Sequence, residues 1–118
     1  METDIIDLKE VMERVQDDKE LLLELFDIYQ GDFVKKRQAL SDAITAKDIV
    51  KIKEVAHSMK GASGNISAKL IYGSCLALEQ LAKSGTTDGM EELVKKIDVQ
   101  FAQVQGRAVE LKKEWGGG

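Results

Sequence analysis

Not one proline occurs among the 118 residues, so no position is barred from a helix by a missing amide proton or a ring clash. Through most of the chain, apolar residues recur every three or four positions, the spacing that lines one face of an α-helix. Aromatic residues make up only 5%, and alanine, leucine, lysine, glutamate and isoleucine dominate, a balance that favours long helices. The fold class is therefore all-α. A chain of this length supports one hydrophobic core and is too short for two.

Five helices follow from the spacing and its punctuation. The first is short: Asp7 followed by Glu10 has the capping-box pattern, and Leu8, Val11, Met12 and Val15 give it an apolar side before Gln16. A second box, Asp17 to Glu20, opens a long helix through Leu21, Leu22, Leu25, Phe26, Tyr29, Phe33, Leu40 and Ile44, with Gly31 a candidate bend. Asp48 caps a third helix that ends near Gly64-Asn65, two residues tolerant of left-handed dihedrals. Ser67 restarts the chain as the N-cap of a fourth helix, which carries Leu70, Ile71, Ser74, Cys75, Leu78 and Leu81 and stops at Ser84-Gly85. Asp88 with Glu91 forms a third box, opening a last helix from Met90 through Leu111 to about Glu114.

Short connections force consecutive helices to lie antiparallel. The expected architecture is an antiparallel up-down-up-down four-helix bundle with a short additional N-terminal helix. Residues 1–115 form this domain, and Gly116-Gly117-Gly118 reads as a flexible tail. Met12, Met59 and Met90 fall at core spacing, and Trp115 is placed to cover a bundle edge.

The net charge is −4 with both signs interspersed, so there is no basic field for a nucleic-acid backbone. Lys35-Lys36-Arg37 reads as a solvated face. Cys75 is the sole cysteine, which excludes an intrachain disulfide and suits a reducing compartment; with no second thiol or imidazole nearby it reads as a packed side chain, not a metal ligand. The N-terminus lacks the basic start and apolar run of a secretion signal, and no stretch approaches the roughly 20 apolar residues of a membrane span. A soluble, cytoplasmic protein is the expectation, with no nucleic-acid or membrane partner.

His57 is the only histidine. At about 100° per residue, Ile49, Ile52, Ala56, Met59, Ser63 and Ile66 gather into the stripe of the third helix that must be buried, and His57 falls roughly 140° from Ile52, off that stripe. Its neighbours along the helix are Lys53, Lys60, Gly61 and Gly64. An imidazole has a large neutral, nucleophilic fraction near pH 7, and a lysine three residues on can orient the oxygens of a phosphoryl group bound to it. Glycine inside a helix is unfavourable by about 1 kcal/mol relative to alanine. At position 61 the missing Cβ leaves room for another protein to approach the ring closely enough for in-line transfer.

The run His57-Ser58-Met59-Lys60-Gly61-Ala62-Ser63, followed by Asn65-Ile66-Ser67-Ala68 and Cys75-Leu76-Ala77-Leu78-Glu79, resembles the histidine-containing phosphotransfer (HPt) domains of two-component phosphorelays. The resemblance implies a helical bundle in which His57 is the phosphoacceptor, Lys60 the phosphate-side cation and Gly61 the residue that permits docking of a receiver domain. Glu79 lies where such domains often place a polar residue near the histidine. Ser67 departs from the pattern, since a glycine is frequent there, and the departure touches the turn and not the chemistry.

The function expected is that of a phosphocarrier, shuttling a phosphoryl group between aspartates of receiver domains by way of His57. Lys53, Ala62, Gly64 and Glu79 are candidates for phosphate or partner binding. There is no Walker A loop, kinase-type glycine loop or acidic Mg²⁺ cluster, so no independent catalysis is expected and any Mg²⁺ belongs to the receiver. Partners would be response-regulator receiver domains and a sensor or hybrid histidine kinase, with the chain itself a monomer. Two rivals stand beside this reading: a bundle that binds receivers without carrying phosphate, and a phosphoacceptor domain from a larger hybrid or chemotaxis-type kinase.

Overall fold

The computed structural model describes residues 4–116, and within them five α-helices: α1 (Leu8–Arg14), α2 (Lys19–Thr45), α3 (Ile49–Asn65), α4 (Lys69–Lys83) and α5 (Met90–Gly116). Among the described residues there is no strand. Paired side chains show how the helices run. Tyr29 meets Ser63, His57 meets Glu79, Ser74 meets Gln100, and Arg37 meets Asp98. The short turns reverse the chain between consecutive helices, and the Arg37–Asp98 pair closes α5 back onto α2, giving the antiparallel four-helix bundle of α2–α5.

The outer pair, α2 and α5, has 27 residues each, against 17 in α3 and 15 in α4. Their excess length overhangs the α3–α4 turn, and α1 fills the space beneath it. Asp7 N–H donates to the Ser67 carbonyl at 2.8 Å, and Val11 and Val15 join Leu22 and Leu111 in the core at this end. The middle of the core holds Phe26, Phe33, Leu40, Ile52, Met59, Ile71, Leu78, Met90 and Ile97. Phe33 and Phe101 stack with ring centroids 4.0 Å apart. Met12 and Trp115 are only partly buried against this core, and Lys19 lies 5.4 Å above the Trp115 ring. Cys75 is fully buried, and burial pushes its thiol up to about 12.

Helix starts differ in detail from the sequence expectation. Asp7 caps α1 as expected, accepting from Glu10 N–H, and Asp48 caps α3 by accepting from Lys51 N–H. For α2 the cap is Asp18, one residue later than Asp17, because Gln16 and Asp17 both take left-handed φ angles (54° and 62°) to turn the chain out of α1. The Asp88–Glu91 box is replaced by Gly89 at φ 83° leading into Met90, while Asp88 N–H is satisfied by Thr86 Oγ1. Ser67 is not the N-cap of α4. It takes φ 57°, which explains why glycine suits that place, and the cap position passes to Ala68 without a side-chain hydrogen bond. The hydroxyl of Ser67 instead donates to Glu10 at 2.9 Å. Helix α2 continues through Gly31, and α5 takes in Gly116, whereas Gly117 and Gly118 lie outside the described residues.

Candidate functional site

Ile52, Ala56, Met59 and Ser63 are buried and Ile49 is half-buried, so the apolar face of α3 is the one its spacing predicts. That orientation fixes the opposite face. His57 stands on it with 68% of its side chain exposed, while Glu79, across on α4, is 5% exposed. Glu79 Oε2 lies 2.7 Å from His57 Nδ1, and Glu79 Oε1 accepts from Lys60 Nζ, also at 2.7 Å. One carboxylate thus holds two residues of α3, a single turn apart.

The ionisation of Glu79 follows from this pair. The Lys60 ammonium, more than His57, holds its carboxyl below the usual carboxylate range against the opposing effect of burial. Reciprocally, the hydrogen bond to Glu79 raises Lys60. An ionised carboxylate can only accept, so a neutral His57 must carry its proton on Nδ1. Nε2 is then left with its lone pair, on the ring nitrogen that Glu79 does not engage. The arrangement orients an imidazole as a nucleophile and places a negative charge where the ring becomes positive once Nε2 has reacted.

The two glycines of this face serve different ends. A Cβ on Gly61 would meet nothing within 4 Å, so the space beside His57 is open. A Cβ on Gly64 would lie 3.2 Å from Tyr72 Cδ2 and 3.3 Å from Cε2, because the Tyr72 ring already rests on the helix there. The Gly64 carbonyl accepts from the Arg14 guanidinium at 2.7 Å. Ala62 is half-buried at a cleft between α2 and α3, lined also by Leu25, Ile28, Asp32, Asn65 and Ile66. Lys53 is exposed one turn before His57.

Sequence reasoning placed His57, Lys60 and Glu79 near one another but left Lys60 free beside the ring. The structure instead turns its ammonium toward α4, and makes Glu79 the centre of the group. Tyr72 and Arg14 were not singled out at all. A signal for Tyr72 was present: it precedes Glu79 by seven residues as Gly64 follows His57 by seven, so antiparallel helices bring the two pairs face to face. Arg14 carried no such signal, since its contact depends on how α1 packs. Among the described residues no group of three or more His, Cys, Asp or Glu side chains is placed to hold a metal ion, and no helix is long and apolar enough to cross a membrane.

Comparison with known proteins gives the family and the fold. The Hpt domain family matches residues 24–110, from early in α2 through most of α5. The chain belongs to the Hpt domain family. None of the curated proteins matches it. Among solved structures, the crystal structure of histidine-containing phosphotransfer protein B (HptB) from Pseudomonas aeruginosa PAO1 is similar, with a TM-score of 0.88 at 24% identity over 97% of this chain and 99% of that one. At that identity the likeness bears on the fold, and it extends to α1, which precedes the matched segment of the family. An Hpt domain is a phosphocarrier of histidine phosphorelays, and its partners are receiver domains and histidine kinases.

Proposed function

We propose that this Hpt domain accepts a phosphoryl group on Nε2 of His57 from the aspartyl phosphate of one receiver domain and delivers it to an aspartate of another. The observation that carries the reading is the Glu79 bridge, which fixes the Nδ1–H tautomer and leaves Nε2 as the nucleophile on a ring 68% exposed. In transfer the Nε2 lone pair forms a bond to phosphorus, the P–O bond to the aspartyl carboxylate breaks, and the carboxylate leaves. The ring gains a positive charge, which the Glu79 carboxylate compensates through Nδ1–H. Return to a second aspartate reverses these steps and restores the neutral imidazole.

Lys60 neutralises Glu79 so that a carboxylate so near the site does not repel phosphate, and its ammonium has further donors for a phosphoryl oxygen. Lys53 adds positive charge on the approach side. Gly61 supplies clearance for the receiver, and the neighbouring cleft with Ala62 and the 66% exposed Ile28 offers it an apolar footing. The divalent cation belongs to the receiver, and the chain acts without catalytic activity of its own.

The test is incubation of the purified protein with a phosphorylated receiver. The expected product is an acid-labile, alkali-stable phosphoramidate on His57, chased onto a second receiver and absent from a His57→Gln variant. A chain that binds receivers tightly yet never acquires label would be a scaffold, and the proposal would be wrong.

A further inference from the structure

We infer that Tyr72 is a positioning residue for His57, acting through Lys60 and Glu79, and that position 64 is a glycine so that the Tyr72 ring can lie against α3. The inference rests on the phosphotransfer reading of His57 and deepens it.

Three observations carry it. First, the ring of Tyr72 sits within 3.2–3.3 Å of where a Cβ of residue 64 would be, a spacing that no larger residue allows without displacing it. Second, Lys60 Nζ lies 6.0 Å from the centre of the same ring, within the range at which an aromatic face attracts an ammonium. Third, Tyr72 is itself 39% exposed whereas the Lys60 side chain is only 16% and Glu79 5% exposed. The aromatic ring is thus cover for the ion pair, with its own outer side in water. An ion pair open to solvent has little hold on geometry, because water competes for both partners. The ring, covering one flank of Lys60, keeps the ammonium on Glu79 Oε1 and so keeps Oε2 available for His57 Nδ1–H. At its far end the contact is seated on a fixed floor, since Arg14 holds the Gly64 carbonyl.

The consequence is a tautomer that depends on a side chain of α4 two turns before Glu79. Removing the ring admits water to Lys60 and Glu79, weakens the hold on Nδ1–H, and returns the imidazole toward the Nε2–H form that histidine prefers in water, which has no lone pair on Nε2. The decisive measurement is the ¹⁵N NMR spectrum of the His57 ring in the unphosphorylated protein, paired with the rate of labelling by a small phosphoramidate donor that needs no docking.

In Tyr72→Ala the ratio of Nε2–H to Nδ1–H tautomer is expected to rise roughly two- to fivefold, and labelling by the small donor to slow, while Tyr72→Phe stays close to wild type. Gly64→Ala should move the ratio the same way by a smaller factor, and should have no further effect in the Tyr72→Ala background. Should Tyr72→Ala fail to fold, Gly64→Ala carries the same test alone. An unchanged ratio and an unchanged small-donor rate, with only the KM for a receiver raised, would make Tyr72 a docking residue and overturn the inference. The tautomer ratio is read without phosphate, so a normal tautomer response in a chain that takes no label would refute the phosphotransfer reading and leave the role of Tyr72 standing.

Discussion

Replacing Gly61 with alanine separates what the fold needs from what a partner needs. The added Cβ would meet no atom within 4 Å, so it creates no clash inside the protein. What remains is the helix propensity difference, and mid-helix alanine is favoured over glycine by about 1 kcal/mol. Gly61→Ala is therefore expected to stabilise the domain by up to about 1 kcal/mol, a rise in Tm of about 3–5 °C for a domain of this size. The same methyl stands beside His57 in the space a receiver must enter. Displacing a reacting partner by on the order of 1 Å lowers a transfer rate by about a hundredfold. The assay is urea or thermal denaturation alongside the rate of phosphoryl transfer from a phosphorylated receiver, with Gly106→Ala as the control. Gly106 is equally open and exposed, but lies on α5, away from the His57 face. The control should gain similar stability and transfer normally. A Gly61→Ala protein that transfers at the wild-type rate, or one that is destabilised, would refute the clearance argument.

Two other outcomes follow from hydrogen bonds inside and beside the bundle. Ser63 Oγ donates to the Met59 carbonyl, so in its 2.8 Å contact with Tyr29 it is the phenol that donates. Ser63→Ala then leaves a buried phenolic O–H without a partner and should cost about 1–3 kcal/mol, while Tyr29→Phe leaves no orphan and should cost only about 0.5–1.5 kcal/mol; chemical denaturation of the pair reads the order. Glu79 has a folded pKa below its unfolded value of about 4.3, so its contribution to stability is full above that pH and is lost as pH falls through the folded pKa. Stability curves of wild type and Glu79→Gln are accordingly expected to differ most near neutral pH and to converge in acid, and a constant gap across the acid range would contradict the ionised bridge.

Much of the fold could be read from residue spacing because a bundle is built from local periodicity. The buried stripe of α3, the caps Asp7 and Asp48, and the outward placement of His57 depend only on which residues lie three, four or seven apart. Turn geometry was less legible. Asp17 and Asp18 are equal candidates for a cap until Gln16 and Asp17 are seen in left-handed conformations, and Ser67 has the chemistry of an N-cap but is used to reverse the chain. Within the site, the motif gave the histidine and the clear space at Gly61. It did not show that Lys60 faces α4, since a lysine at the edge of a helix can turn to either side and only the position of Glu79 decides which. That the Tyr72 ring rests against Gly64 is likewise decided on another helix.

The exposure of His57 has a consequence for how long a signal can be held. Glu79 engages the Nδ1 edge of the ring, and among the described residues the His57 side chain is left 68% exposed, so a phosphorylated Nε2 would stand open to bulk solvent as well as to a receiver. Storage by shielding is not built into such a surface. On the proposed function, what would keep the message is the chemistry of the phosphoramidate bond and prompt encounter with an acceptor, since the ring itself stands in water.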